Sequence, residues 1–315
     1  MKSYKLLFLF LTCSLSSIAQ LKWQNVDSLY QPLPSSVHIY FSNDSLDGAP
    51  NIAYYLEADI KDKNLNFATA VGNGKRYTPT QYYNQENKPL VVVNCTFFEF
   101  VHNSNINLVV NNGKILAYNR DTFKTKEHFP GAIGITKKRT ADVAWTFTDS
   151  SKKRPYAFQV PIGPVEDKAG TFTIKQAKNL NSVVPNARLK KWKVQTAVGG
   201  GPVLLQSGQV KITNNEELKF LGKSAKVKHP RTTMGYTKDG KLIILMFQGR
   251  APGIAEGASL EQEAKVLQSL GCWEALNLDG GGSSCLLING KETIKPSDKQ
   301  GQRPVPAVFM IRSHK

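Results

Sequence analysis

Histidine and cysteine are scarce in this chain, and neither is spaced as in a metal site. The five histidines show no ligand spacing, and none of the four cysteines forms a short pair. Neither a Gly-Lys-Ser/Thr phosphate loop, a dinucleotide fingerprint nor a Gly-x-Ser-x-Gly elbow occurs. The sequence therefore predicts no metal and no cofactor, and it does not indicate a serine hydrolase of the elbow type.

Acidic residues are also few, since 41 lysines and arginines face 24 aspartates and glutamates, for a net charge of +17. Such a charge favours anionic partners. A helix-turn-helix and an RNA-binding aromatic signature are both absent from the sequence, which argues against nucleic acid. The charge thus favours phosphorylated glycans, teichoic-acid-like polymers or lipid headgroups as partners, although most of the lysines are typical of a solvated surface.

No internal apolar run approaches the roughly 18 residues of a bilayer span. The first residues, however, combine Lys2 and Lys5 with an apolar stretch over 6–11 and a small-x-small site ending at Ala19. This pattern predicts a signal peptide over 1–19, export of the mature chain, and no integral membrane segment in it. Thr12 before Cys13 is a poor lipobox, so lipoprotein anchoring is not expected.

Cleavage would leave three cysteines, Cys95, Cys272 and Cys285, so at least one thiol is unpaired within the chain. A disulfide between Cys272 and Cys285 and burial of all three as small apolar residues both remain open. We predict a strand-rich extension over 20–70 and one main domain over 71–315, with 150–192 as an insertion or lid.

Turn signals dominate the chain and indicate an α+β fold, a single strand-rich domain with mostly antiparallel or mixed sheets. Four dipeptides beside or between apolar runs predict β-hairpins: Asn112-Gly113, Ser207-Gly208, Asp239-Gly240 and Asn289-Gly290. Buried strands are predicted at 90–93 and 309–311. Helices are predicted at 259–270, with Ser259 and Gln262 as a capping box, and at 79–86 behind a Thr78 cap.

The most informative segment places one carboxylate, Asp279, before three glycines and two serines. Glycine gives up conformational entropy and packing, so three in a row need a reason, such as positive φ or a close approach to a ligand. A glycine-rich hairpin with a capping Asp is the alternative interpretation. The candidate site residues here are Asp279 as the catalytic group and Gly280, Gly281, Gly282, Ser283 and Ser284 as ligand contacts.

A second glycine run, Gly199, Gly200 and Gly201, also precedes an apolar strand, and its amides are candidates for anion binding or for a tight corner. Arginines beside glycine or at strand ends suit bidentate phosphate recognition, although each alone is more often a surface ion-pair residue. Asn94 ends an apolar run and is a candidate hydroxyl ligand or a turn residue. The further candidate ligands are Arg231, Thr232, Arg250 and Arg303.

Together these motifs resemble the phosphodiester glycosidase family, in the same order from about residue 79 to residue 311. The resemblance is carried by residues 94–98, 199–204, 231–235, 248–250, 275–284 and 303–305. The block from Ala275 to Ser284, with its preceding helix, is the most specific part, and Cys95 stands where the family often has glycine.

The resemblance implies hydrolysis of a sugar-1-phosphodiester. A phosphate leaves readily as an anion and needs little protonation, arginines can stabilise it, and a carboxylate such as Asp279 can serve the oxocarbenium-like centre. A non-catalytic binder or assembly factor for anionic envelope exopolysaccharide is the rival interpretation, and it requires no placed carboxylate.

We expect the mature chain to be exported and to begin near Gln20, because the basic start, apolar run and Ala19 form a cleavable signal. N-terminal sequencing of the protein from its native host checks this expectation. Recovery of chains that keep Met1 in the cytosol would contradict it.

Overall fold

The computed structural model describes residues 21–120, 125–167, 170–220 and 222–313, so the predicted signal peptide lies outside the described residues. The helices are α1 (Pro79–Gln85), α2 (Ile174–Asn179) and α3 (Leu260–Ser269), with short 3-10 turns at Asp27–Leu29, Leu180–Ser182, Gly222–Lys226 and Gly281–Ser283.

The first twelve strands are β1 (Gln24–Asn25), β2 (Val37–Ser42), β3 (Ala53–Asp59), β4 (Leu65–Val71), β5 (Val91–Asn94), β6 (Phe98–Glu99), β7 (Ser104–Asn105), β8 (Val109–Asn111), β9 (Lys114–Ala117), β10 (Lys126–Glu127), β11 (Gly131–Thr136) and β12 (Ala141–Phe147). The later strands are β13 (Tyr156–Phe158), β14 (Val165–Glu166), β15 (Lys190–Lys191), β16 (Val194–Gly199), β17 (Val203–Gln206), β18 (Gln209–Val210), β19 (Arg231–Thr237), β20 (Lys241–Phe247), β21 (Cys272–Asn277), β22 (Leu286–Ile288), β23 (Lys291–Glu292) and β24 (Ala307–Ser313).

Three large sheets build the molecule. Eight strands run in the order β1-β2-β3-β20-β19-β21-β17-β18, seven in the order β15-β13-β12-β11-β16-β8-β9, and five in the order β23-β22-β5-β24-β4. The pairings within the described ranges are antiparallel throughout. This architecture confirms the strand-rich α+β prediction. The 21–70 region supplies strands to two of the sheets, and 150–192 supplies β13 and β15 to the third.

Side-chain alternation explains how the sheets pack. Successive residues of a strand point to opposite faces. Ile244 and Met246 of β20 enter the central core with Val91 of β5 and Ile133 of β11, so the three sheets share one core. The opposite face of the eight-stranded sheet, including Leu245, is covered by α3.

The opposite face of the five-stranded sheet, which includes Val92 of β5, packs against Tyr82 of α1. None of the helices in the described part of the chain is long and apolar enough to cross a bilayer. Cys95, Cys272 and Cys285 are buried free thiols.

Local sequence signals account for the turns and caps. All four dipeptide turns join paired strands, namely β8 to β9, β17 to β18, β19 to β20 and β22 to β23. Both predicted helices are present, and each begins with a capping box, Thr78 with Gln81 and Ser259 with Gln262. The structure confirms these predictions. They could be made from the sequence because each signal involves only two to four neighbouring residues.

Candidate functional site

The Asp279 loop crosses from one sheet to another. Strand β21 lies between β19 and β17 in the eight-stranded sheet and ends at Asn277, whereas β22 begins at Leu286 and pairs with β5 of the five-stranded sheet. Residues 279–285 make this crossing and form a 3-10 turn at Gly281–Ser283. Asp279 therefore lies at a junction of two sheets, two residues beyond a strand end.

The side chain of Asn94 fixes both ends of the loop. It is fully buried, and its Nδ2 donates to the carbonyl of Asp279 at 2.6 Å. Its Oδ1 accepts from the amide of Cys285 at 3.1 Å and from Thr232 Oγ1 at 2.9 Å. The sequence predicts a ligand contact for Asn94, but its amide group is already used by the protein, so the structure gives it a supporting role.

Thr232 and Ser284 belong to the same buried network. Both are shielded from solvent, and Thr232 Oγ1 lies 3.2 Å from Ser284 Oγ. Their predicted direct contact with substrate is therefore not supported by the geometry. Thr232 and Ser284 therefore support the loop from within the protein. Of the two adjacent serines, Ser283 is the one whose hydroxyl lies near the charged group of Arg303.

The carboxylate of Asp279 is partly buried and surrounded by positive charge. Burial raises the pKa of Asp279 to about 6, while the Ser283 hydroxyl, the Arg303 charge, the Gly280 amide and the Lys219 charge lower it. A shift in this direction means that desolvation outweighs the nearby cations. The result is a carboxyl group that changes its charge close to neutral pH.

Two of the predicted arginines reach this loop. Arg303 is held by Asp298 through two hydrogen bonds, Nε to Oδ2 at 2.7 Å and Nη2 to Oδ1 at 3.0 Å, and its Nη1 lies 3.5 Å from Ser283 Oγ. Arg250 is exposed, and its guanidinium lies beside Gly281. The loop thus has one anchored arginine and one solvent-facing arginine at its edges.

The glycines of this loop make room for protein groups. A Cβ on Gly282 would lie 2.0 Å from Arg303 Nη2 and 2.2 Å from Asp298 Oδ1, and one on Gly281 would lie 2.9 Å from Arg250 Nη2. Gly281 also has a φ of +62° and donates its amide to Pro230 O at 2.8 Å. Gly281 and Gly282 therefore allow the close approach of the two arginines. The positive φ of Gly281 agrees with the first of the two reasons expected for the glycine run.

Arg231 differs from the other two arginines because it is buried, with 2% of its surface exposed. It donates Nε to Ala258 O at 2.9 Å and Nη2 to Val227 O at 3.0 Å, and it lies over the Phe220 ring. Arg231 also lowers the pKa of the buried Glu263, although burial raises that pKa further, to about 8. Direct phosphate binding by Arg231 is therefore not supported, and its role is to join α3 and the preceding segment to β19.

The second glycine run is a tight corner. The amides of Gly199, Gly200 and Gly201 donate to the carbonyls of Leu108, Gly131 and Asn277 at 2.7, 2.9 and 2.8 Å. The amides are used by the protein, so they do not form the predicted anion cradle. A Cβ on Gly201, whose φ is +112°, would lie 2.2 Å from Glu217 Oε2 and 2.8 Å from Lys219 Cε.

Comparisons with known proteins identify the family of the chain. The phosphodiester glycosidase family model matches residues 87–312, which is more than half of the chain. The chain is a member of the phosphodiester glycosidase family. The resemblance noted in the sequence is thereby confirmed.

Individual relatives match over shorter stretches or at lower identity. The N-acetylglucosamine-1-phosphodiester alpha-N-acetylglucosaminidase of Mus musculus is 27% identical over 128 residues, which is 41% of this chain and 24% of the mouse protein. The chain thus spans about a quarter of that relative.

Solved structures share the fold. A hypothetical protein from Synechocystis has a TM-score of 0.66 at 13% identity. The match covers 93% of this chain and 64% of the Synechocystis chain. The zebrafish N-acetylglucosamine-1-phosphodiester alpha-N-acetylglucosaminidase catalytic domain, auto-inhibited by its pro-peptide, has a TM-score of 0.57 at 19% identity and covers 94% of this chain and 89% of that domain.

The structure also contains a buried carboxylate, Glu217, that was not predicted from the sequence. Glu217 is fully buried and accepts four hydrogen bonds, from Gly131 N and Val203 N at 2.7 Å, Thr213 Oγ1 at 2.6 Å and Trp145 Nε1 at 3.3 Å. Burial raises the pKa of Glu217, whereas the Thr213 hydroxyl and the two amides lower it. Because all four groups donate, they favour the ionised form, and we assign Glu217 to holding the corner together.

We expect Glu217→Gln to destabilise the protein by about 3 kcal/mol, because an amide NH₂ would face N–H donors and lose charged hydrogen bonds. Urea unfolding measures this change. Glu216→Gln is the matched control, since Glu216 is the neighbouring glutamate and is not buried. Equal stability of both variants would refute the assignment.

Proposed function

We propose that the protein is a hydrolase that cleaves a sugar-1-phosphodiester on an exported or surface glycan and releases the sugar from a phosphorylated acceptor. The observation that carries this proposal is the Asp279 carboxyl group, held at the sheet junction with Arg303 and Lys219 acting on its charge. Such a site offers a carboxylate to the sugar and positive charge to the phosphate.

The phosphate end of the reaction needs charge stabilisation more than proton transfer. A phosphate is a good leaving group, and the electron pair of the broken C–O bond stays on its oxygen. Arg250 lies beside Gly281 and Arg303 beside Gly282 and Ser283, and the two are the proposed phosphate ligands. Guanidinium groups suit this task because their donors match phosphate oxygens.

The sugar end needs a carboxylate close to the developing positive charge. Glu217 is saturated with hydrogen bonds and Asp298 is paired with Arg303, so both are engaged by the protein. Asp279 accepts from Ser283 and Gly280 and is the remaining carboxylate at the loop. With a pKa of about 6, it is mostly ionised at neutral pH, as a nucleophile, base or electrostatic stabiliser requires.

The names of the relatives suggest the first substrate to test. The matched mouse protein acts by name on an N-acetylglucosamine 1-phosphodiester, and we extend that class to this chain as a proposal. Export of the mature chain would place it with extracytoplasmic glycans, and the net charge of +17 suits an anionic substrate.

Asp279→Asn tests the assignment, because it keeps the shape of the side chain and removes its charge. We expect kcat to fall at least about a hundredfold, equivalent to about 2.7 kcal/mol of transition-state stabilisation, with little change in KM.

The pH profile of the wild type is a second test. The value of kcat/KM should rise with pH through about 6, because the carboxyl group of Asp279, whose pKa is about 6, is active when it is ionised.

The rival functions give different results for the same variant. A non-catalytic binder of anionic exopolysaccharide would show no turnover in either form and unchanged binding. A capping Asp would lower the melting temperature on substitution and leave kcat per folded molecule intact. Full activity of folded Asp279→Asn would end the catalytic assignment.

Arg250→Ala and Arg303→Ala should each weaken binding of the phosphodiester about ten- to hundredfold, because a charged hydrogen bond to a bound anion is worth about 1.5–3 kcal/mol. Titration calorimetry with a non-hydrolysed analogue measures the effect. Arg188→Ala is the control, since Arg188 is exposed just before the edge strand β15. Unchanged affinity in both site variants would contradict the phosphate assignment.

A further inference from the structure

Lys219 is a cation of the site that neither the motifs nor the family match singles out. Its ammonium lies 4.8 Å from the centre of the Phe97 ring, and burial lowers the pKa of Lys219 to about 8, while Glu217 and Asp279 raise it. Within the described ranges, no carboxylate or carbonyl oxygen lies within hydrogen-bonding distance of its Nζ. The three N–H donors of this ammonium are therefore not used by those residues.

Glu217 does not need Lys219 as a hydrogen-bond partner. Both carboxylate oxygens of Glu217 already accept from amide, hydroxyl and indole donors. The charge of Lys219 is balanced through space by Glu217 and Asp279, and its donors remain available to a third group. A simple structural ion pair would instead show direct contact between the ammonium and the carboxylate.

The glycine corner explains how the lysine reaches this place. A side chain on Gly201 would overlap Lys219 Cε, since its Cβ would lie 2.8 Å away. Phe97, three residues after Asn94, provides the opposite wall. Gly201 and the Phe97 ring thus border a channel that holds the Lys219 side chain.

Both walls of the Lys219 channel lead to Asp279. The Asp279 amide donates to Cys95 O at 2.8 Å, two residues before Phe97, and the Gly201 amide donates to Asn277 O at 2.8 Å, two residues before Asp279. Arg303 and Lys219 also act on the charge of Asp279. Each of these cations is also placed against an aromatic ring of one short segment, Lys219 on Phe97 and Arg303 at 5.8 Å from the centre of Phe100. Lys219 therefore presents an ammonium group on the side of the site that joins Gly201, Phe97 and Asp279.

We propose that Lys219 binds a phosphate oxygen of the substrate and stabilises the phosphate as it leaves; this inference rests on the proposed function. The bond between the sugar carbon and the phosphate oxygen breaks, its electron pair stays on that oxygen, and the sugar carbon forms a new bond to a water oxygen, either directly or after an intermediate bond to Asp279. Lys219 keeps its proton and interacts with the added negative charge. Its contribution is electrostatic and is made to the leaving group.

The test uses Lys219→Met, which removes the charge, and Lys219→Arg, which restores it. The probes are methyl N-acetyl-α-glucosaminyl phosphate as substrate, inorganic phosphate as ligand, and 4-nitrophenyl N-acetyl-α-glucosaminide as a substrate without phosphate. We expect Lys219→Met to lower kcat/KM on the phosphodiester and the affinity for inorganic phosphate about ten- to hundredfold each. Turnover of the nitrophenyl glycoside should change less than about threefold, and Lys219→Arg should recover phosphate affinity.

Lys211→Met is the matched control, because Lys211 is exposed and lies eight positions earlier on the same segment. Unchanged phosphate affinity and phosphodiester turnover in folded Lys219→Met would overturn the inference. An equal loss on both substrates, together with a lower melting temperature, would also overturn the inference. That result would indicate that Lys219 only balances the charge of Glu217.

Failure of this inference and failure of the proposed function give different results. If Asp279→Asn is inactive while Lys219→Met is normal, only the Lys219 inference fails; if folded Asp279→Asn is fully active, the proposed function fails. Should the wild type cleave neither glycoside, calorimetry with inorganic phosphate decides the Lys219 assignment alone.

Discussion

The carboxamide of Asn94 is the interaction on which the site depends. It joins the last residue of β5 to Asp279 O, Cys285 N and Thr232 Oγ1, and so it ties the five-stranded sheet to the eight-stranded sheet at both ends of one loop. A buried amide that loses any of these partners would leave polar atoms unsatisfied, which costs about 1–3 kcal/mol each. The position of the Asp279 carboxyl group therefore follows from the way the two sheets are joined.

Glycine serves this site mainly through the protein groups that it admits. At Gly282 the absent side chain makes room for the pair of Arg303 and Asp298, and at Gly201 it makes room for Glu217 and Lys219. At Gly201, Gly281 and Gly282 the atom nearest to an added Cβ belongs to a charged side chain, whereas at Gly200 and Gly280 it is a backbone carbonyl oxygen. Each glycine run thus includes a position at which the absent Cβ allows a charged side chain to approach the backbone.

The parts of the structure that sequence predicts are those set by short-range chemistry. The Asn112-Gly113 turn and the Ser259 cap need only their neighbours, and the glycines after Asp279 are visible as an anomaly in composition. Glu217 was missed because its partners Gly131 and Trp145 are 86 and 72 residues away, and no local period marks the segment around it. Arg231 was predicted to be a ligand because it lies at the end of a strand, and the sequence there does not distinguish a buried arginine from an exposed one. Only the tertiary structure shows that Arg231 donates to Ala258 O and Val227 O.

The same long-range organisation sets the charge state of the site. Burial and the positive groups act in opposite directions on Asp279, and burial dominates, since its pKa rises to about 6 despite Arg303 and Lys219. A bound phosphate would neutralise part of that positive charge and exclude more water, and both effects raise the pKa of a carboxyl group further. The free site therefore favours the ionised form at neutral pH, whereas binding of an anion makes the same carboxylate more basic. Departure of the phosphate removes its negative charge from the site and again favours the carboxylate, so the charge of the leaving group and the basicity of Asp279 are coupled through the cations between them.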